Sequence, residues 1–248
     1  MPVLHPFQWI VAALAAMGLG ISKAGFMGLS LLPVIAFAFL FGARTSTGIV
    51  LPMLMVGDVG AVSLYRRHAR WEYIWRMLPP TCVGIVAGAV LMRWLTEDAF
   101  KPIIGWIVLV LTILQVVRTQ RPGWLGAIPH SRAFAWSLGL LAGVTTMLAN
   151  AAGPVIAIYS LSVGLPKFEL VGTNAWLFMI INAFKVPFSV SLGLIHTGSL
   201  LFNLALAPAV IAGVFAGRWL TRIMPQRLFD NVLLAFAAIA ALRLIGAF

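Results

Sequence analysis

Acidic side chains are almost missing from this chain. Six Asp and Glu stand against 17 Lys and Arg in 248 residues, and charged residues of both signs make up only 9%. A water-soluble domain carries about 25%, so this supply is too sparse to solvate the surface of a soluble fold. Cysteine is limited to Cys82, inside an apolar stretch, which excludes an intramolecular disulfide framework and a thiolate metal cage. The four histidines, His5, His68, His130 and His196, fall in the terminus and in loops without ligand spacing, so no metal or other cofactor is expected. A membrane-embedded enzyme would need His, Asp, Glu or Cys clustered at one depth. The sequence has no such cluster, and an enzyme is not expected.

Apolar residues fill the space that charge leaves. They form 62% of the chain, with a mean hydropathy of +1.03. The first part reads as apolar segments at about 9–22, 27–41, 45–64, 73–94 and 100–117, the second as about 133–149, 154–164, 170–192, 198–220 and 228–246. A span needs roughly 20 residues, about 17 at the low end. The last three segments of each part qualify. The first two are short and separated by Ser22-Lys23-Ala24-Gly25 in one part and Asn150-Ala151-Ala152-Gly153 in the other. They are either short spans or the arms of a re-entrant hairpin, since irregular backbone at depth is tolerated where protein or a cavity surrounds it. The expectation is an all-α polytopic protein, one integral membrane domain over 1–248, whose first apolar run is retained rather than cleaved. A net charge of +11 is of the sign that nucleic acid attracts. However, the basic residues lie in short loops between apolar runs, so the expected partner is the lipid bilayer, not nucleic acid. A homo-oligomer remains possible.

The two parts are copies of one unit. Pro33-Val34-Ile35-Ala36 recurs as Pro154-Val155-Ile156-Ala157, Gly18-Leu19 as Gly139-Leu140, and Thr47 aligns with Thr173. Pro79, Gly84, Gly88 and Phe100 match Pro208, Gly213, Gly217 and Phe229. The offset drifts from 121 through 126 to 129, as insertions confined to loops require. The repeats run over about 7–118 and 133–247, joined by a cytoplasmic linker at about 118–132. Paired broken segments in a duplicated apolar bundle point to a secondary transporter.

Charge bias decides the relation between the copies. With all five segments of each half crossing and the N-terminus outside, one side collects 12 basic residues and the other only Arg44, Arg93, Lys101 and Arg243. Merging the first two segments into one crossing destroys the bias. The positive-inside rule thus favours inverted repeats, with the basic loops in the cytoplasm and both termini outside. Each repeat then holds a pair of short or re-entrant helices plus three full-length transmembrane helices.

Few residues inside the spans carry chemistry. Lys185 interrupts 170–192, with Asn182 one turn earlier, and Asp58 is the one acid within a span. An ionisable group at such depth costs at least ~2.5 kcal/mol on insertion scales, so it normally faces a partner or a watery pathway. Snorkelling is the competing account of Lys185. For Asp58 the choice is between counter-ion and proton carrier, with the counter-ion preferred. Helices starting near Met27 and Pro154 would aim free N–H groups at the bilayer middle, where Gly25, Gly28 and Gly153 allow close approach. With Lys185 and Lys23 they compose an electropositive pocket for a small anion. Asn150, Thr173, Asn174 and Asn182 are further candidate donors. Gly84-x-x-x-Gly88 and Gly213-x-x-x-Gly217 read as helix packing, and tryptophans such as Trp9, Trp71, Trp94 and Trp124 as interfacial anchors.

The stretch from Gly20 to Gly28, Gly-Ile-Ser-Lys-Ala-Gly-Phe-Met-Gly, resembles the glycine-rich first motif of the TauE/SafE sulfite and organosulfonate exporters, with Phe26-Met27-Gly28 where a triple glycine is usual. Ala152-Gly153-Pro154, Gly164-Leu165-Pro166-Lys167, Gly172-Thr173, Asn182 and Lys185-Val186-Pro187 are similar to that family's second-half motif. The resemblance implies a permease of the cell inner (cytoplasmic) membrane for small sulfur-containing anions, often working outward. An inside-negative potential drives a monovalent anion out with about 2.3 kcal/mol per 100 mV, so export needs no coupling ion. An anion channel is the alternative.

Overall fold

The computed structural model describes residues 5–120 and 131–223. The expected tenth segment at 228–246, the linker core at 121–130 and the end of the second repeat lie outside the described residues.

Nine α-helices occur among them: α1 Pro6–Lys23, α2 Leu31–Phe41, α3 Ala43–Tyr65, α4 Trp71–Trp94, α5 Glu97–Gln120, α6 Arg132–Ala149, α7 Gly153–Ser162, α8 Lys167–Ser191 and α9 Thr197–Ile223. Five are long and apolar enough to cross a membrane: the α3 region, α4, α6, α8 and α9. The helical choice follows from the medium, because a backbone in hydrocarbon must satisfy its N–H and C=O groups within its own segment. Pro52, Pro79, Pro80, Pro102, Pro187 and Pro208 sit inside helices. Neighbouring helices make such interruptions tolerable in lipid. Between α2 and α3 the chain turns through one residue, Gly42, at φ 86° and ψ 151°, a conformation that side-chain-bearing residues avoid.

Each short pair folds back on itself. The start of α1 and the end of α2 meet at the start of α9, where Trp9 and Phe41 each lie 5.2 Å from the Phe202 ring. The start of α6 and the end of α7 meet at the start of α4, around a common cavity that includes Tyr73, Ser131, Phe134, Tyr159 and Val163. Both pairs are therefore hairpins rather than single continuous crossings, and they enter from opposite faces of the bundle.

Helix α3 runs antiparallel to α8 between them. Gly48 abuts the Leu194 carbonyl at one end and Gly172 abuts the Tyr65 carbonyl at the other. The closest helix pairs join one half of the chain to the other. Gly84 and Gly88 of α4 face Leu140, Gly143 and Met147 of α6, while Gly213 and Gly217 of α9 face Met17, Ile21 and Ala24 of α1. In both pairs residue numbers rise together, so the partners are parallel. A Cβ on Gly84 would lie 2.2 Å from the Leu140 carbonyl oxygen, and one on Gly213 2.1 Å from that of Met17. Only glycine lets the backbones approach this closely.

Candidate functional site

The tips of the two hairpins converge on the middle of α3 and α8. Helix α6 ends at Asn150, which adopts the left-handed conformation at φ 50° and ψ 30°. Asparagine is among the few non-glycine residues that visit this region readily. Its amide N–H donates to the Thr146 carbonyl at 3.0 Å, which frees the side chain to turn inward. There the Asn150 Nδ2 donates to the Thr47 carbonyl at 2.9 Å, while its Oδ1 accepts from Lys185 Nζ at 2.5 Å.

Lys185 is 1% exposed. The snorkelling account fails, because the ammonium points into the bundle rather than along the helix to a face. Its remaining hydrogen bonds go to Thr146 Oγ1 at 3.2 Å and Asn182 Oδ1 at 3.5 Å. An ammonium has three donors and no acceptor, so three neutral oxygens saturate it. None of them carries a charge.

Asp58, fully buried, is reached through the same asparagine: Asn182 Nδ2 donates to Asp58 Oδ2 at 2.6 Å. The direct counter-ion of Asp58 is Lys23, with Nζ 2.7 Å from Oδ1, while the Lys23 ammonium also lies 4.3 Å from the centre of the Phe178 ring. Lys23, counted with the basic face in the charge bias, instead ends α1 inside the bundle, as the pocket reading requires. Asp58 and Lys185 do not pair directly, because the antiparallel register sets Asn182 opposite Asp58. The chain Lys23–Asp58–Asn182–Lys185–Asn150 thus links α1, α3, α8 and the tip of the second hairpin, and it holds two lysines against one acid.

A cavity of about 20 Å³ adjoins this chain, lined by Ser22, Lys23, Ser30, Thr146, Asn150, Gly153, Phe178 and Asn182 among others. That is room for about one water molecule. A second cavity of similar size takes in Lys23, Gly25, Asn174 and Phe178, and Asn174 accepts a hydrogen bond from Ser160 at 2.8 Å. Gly153 opens α7, and Gly28 lies in the 3-10 turn Met27–Ser30 that leads into α2. Thr173 stands apart, accepting from the Arg70 amide at 2.9 Å at the basic end of α8, where Arg70 also pairs with Glu169. Ser22, Ser30, Thr146 and Phe178 were not singled out from the sequence. Thr146 had a signal, since it sits one helical turn before Asn150 and so shares its face.

A bundle of long apolar helices, with two interrupted hairpins meeting at a buried basic centre, defines a multi-pass membrane transport protein. The chain belongs to the sulfite exporter TauE/SafE family, whose model matches residues 10–244. Members of this family are transporters of sulfur-containing anions, not enzymes. Neither a curated protein nor a solved structure matches the chain.

Proposed function

We propose that this protein carries a small sulfur-containing anion such as sulfite or an organosulfonate outward across the cytoplasmic membrane, by alternating access of two inverted halves. The observation that carries the reading is the buried amine of Lys185, which has only neutral oxygens as partners. An ionised group in a low-dielectric interior is costly unless it is paired, and here the pairing acid is taken by Lys23. An anion beside Lys185 would complete the charge balance, with Asn150, Asn182, Thr146 and the free N–H groups at Gly153 as its other neighbours.

The hairpins support alternating access, since each opens to a different face while their tips share one site. The small cavity supports a carrier over a channel: a sulfonate group is larger than one water, so its passage requires the walls to move. The basic ends of α3, α4, α6 and α8 support a cytoplasmic assignment for that face. Asp58 serves in this reading as the counter-ion of Lys23 and not as a proton carrier. Export down the membrane potential then proceeds without a coupling ion, at about 2.3 kcal/mol per 100 mV for each negative charge.

The test is counterflow of radiolabelled sulfite or methanesulfonate in proteoliposomes, with wild type and Lys185→Ala compared. Saturable counterflow lost in the variant is the expected result. Counterflow that survives unchanged removes Lys185 from the site, and flux without saturation or counterflow replaces the carrier with a channel.

A further inference from the structure

Among the described residues a second, roomier cavity lies away from the central one. It measures about 310 Å³ and lies at the basic face, between the first turns of α4 and α6 and the end of α7, bordered by Tyr73, Arg76, Ser131, Arg132, Tyr159 and Ser162. The repeat register that aligns Pro79 with Pro208 sets Phe202 opposite Tyr73, and the register that aligns Pro33 with Pro154 sets Phe41 opposite Ser162. At the corresponding place in the other half, those two phenylalanines pack edge to face with centres 5.2 Å apart, and Trp9 closes on Phe202 from the side. One half thus fills this space with rings, and the other keeps it open and lines it with cations and hydroxyls.

The charge of the open cavity is positive. Arg76 is held by Glu72 at 2.5 Å and lies over the Tyr73 ring at 5.8 Å, and it is near enough to the Tyr159 hydroxyl to interact with it. Arg132 is exposed and has no acidic partner among the described residues. Two guanidinium groups present the fork geometry that matches a tetrahedral oxyanion. Trp75 and Trp136 also border the cavity, at 62% and 53% exposure, and such tryptophans sit at headgroup level in a bilayer. Phe134, Pro79 and Val163 supply apolar wall beneath.

We infer that this cavity is a binding site for the headgroup of an anionic phospholipid, its phosphate on Arg76 and Arg132 and its glycerol backbone along the tryptophan-flanked opening. Basic pockets between helices at the cytoplasmic interface have this chemistry. The inference is independent of the transport reading, because it rests on a different cavity at a membrane face.

Native mass spectrometry of the purified full chain, offered equal amounts of phosphatidylglycerol and phosphatidylcholine, tests it. Adducts of the anionic lipid should exceed those of the zwitterionic one by about thirtyfold, in keeping with two basic side chains near a membrane surface. Arg76→Gln combined with Arg132→Gln should bring the ratio near one. Ser162→Phe keeps both charges and places a ring where Phe41 stands in the other half; it should do the same, and it decides the matter if the double variant does not fold. A wild-type ratio near one, or a ratio untouched by Ser162→Phe, overturns the inference. Loss of the anionic lipid on adding millimolar methanesulfonate would make the cavity a soluble-anion site and overturn the lipid as its occupant.

Discussion

Removing the Asp58 carboxylate would leave Lys23 and Lys185 close together with no acid between them. Breaking a buried pair costs about 3–5 kcal/mol, whereas replacing both partners by apolar groups is often neutral. Asp58→Asn should therefore lower the thermal midpoint in detergent sharply, and Lys23→Met with Asp58→Leu should recover most of the loss. A double variant as unstable as the single one would show that the two groups do not act as a pair. Lys185 and Asp58 were legible in the sequence because each interrupts an apolar run, where an ionisable group must have a reason. The partner of Asp58 was not. Lys23 reads in the sequence as a pocket ligand for an anion, and only the folded hairpin shows its ammonium spent on Asp58. Asn150 shows the same limit from the other side. Its presence at the tip was noted, but its left-handed backbone, which turns the amide toward Lys185, is a property of the folded chain.

At the scale of elements, glycine spacing announced close packing without naming the partner. Gly84-x-x-x-Gly88 and Gly213-x-x-x-Gly217 each mark a smooth helix face, and either could have met any neighbour. The structure gives the first to α6 and the second to α1. Segment bounds were easier, since apolar run length alone places nearly every helix. That each short pair brings its two ends together, and is not one continuous crossing, depended on contacts far apart in sequence, such as Trp9 and Phe41 with Phe202. The packing makes a graded prediction. A Cβ at Gly143 would lie 2.2 Å from the Thr81 carbonyl oxygen, while one at Gly164 meets nothing within 4 Å. Gly143→Ala should cost at the upper end of the roughly 1–3 kcal/mol of overpacking. Gly164→Ala should cost only the ~1–2 kcal/mol of its left-handed backbone. Thermal unfolding of the two variants in one detergent checks the order, and equal losses would contradict the α4–α6 packing.

Over the whole molecule, the proposed orientation rests on charge bias, which persists after Lys23 is withdrawn from the count of the basic face. In a Cys82→Ser background, a cysteine at Arg93 should react with an impermeant maleimide added outside intact cells, and one at Arg67 only after the membrane is opened. The reverse pattern would invert the assignment and turn the membrane potential against export. The crossed helix pairs have a consequence for how the protein is made. Helix α1 is synthesised well before α9, the last described helix, yet the glycine face it covers belongs to α9. Through most of translation Gly20 and its neighbours face lipid or a chaperone, and α4 likewise waits for α6. A chain stopped after α5 therefore lacks the partners that cover the glycine faces of both α1 and α4.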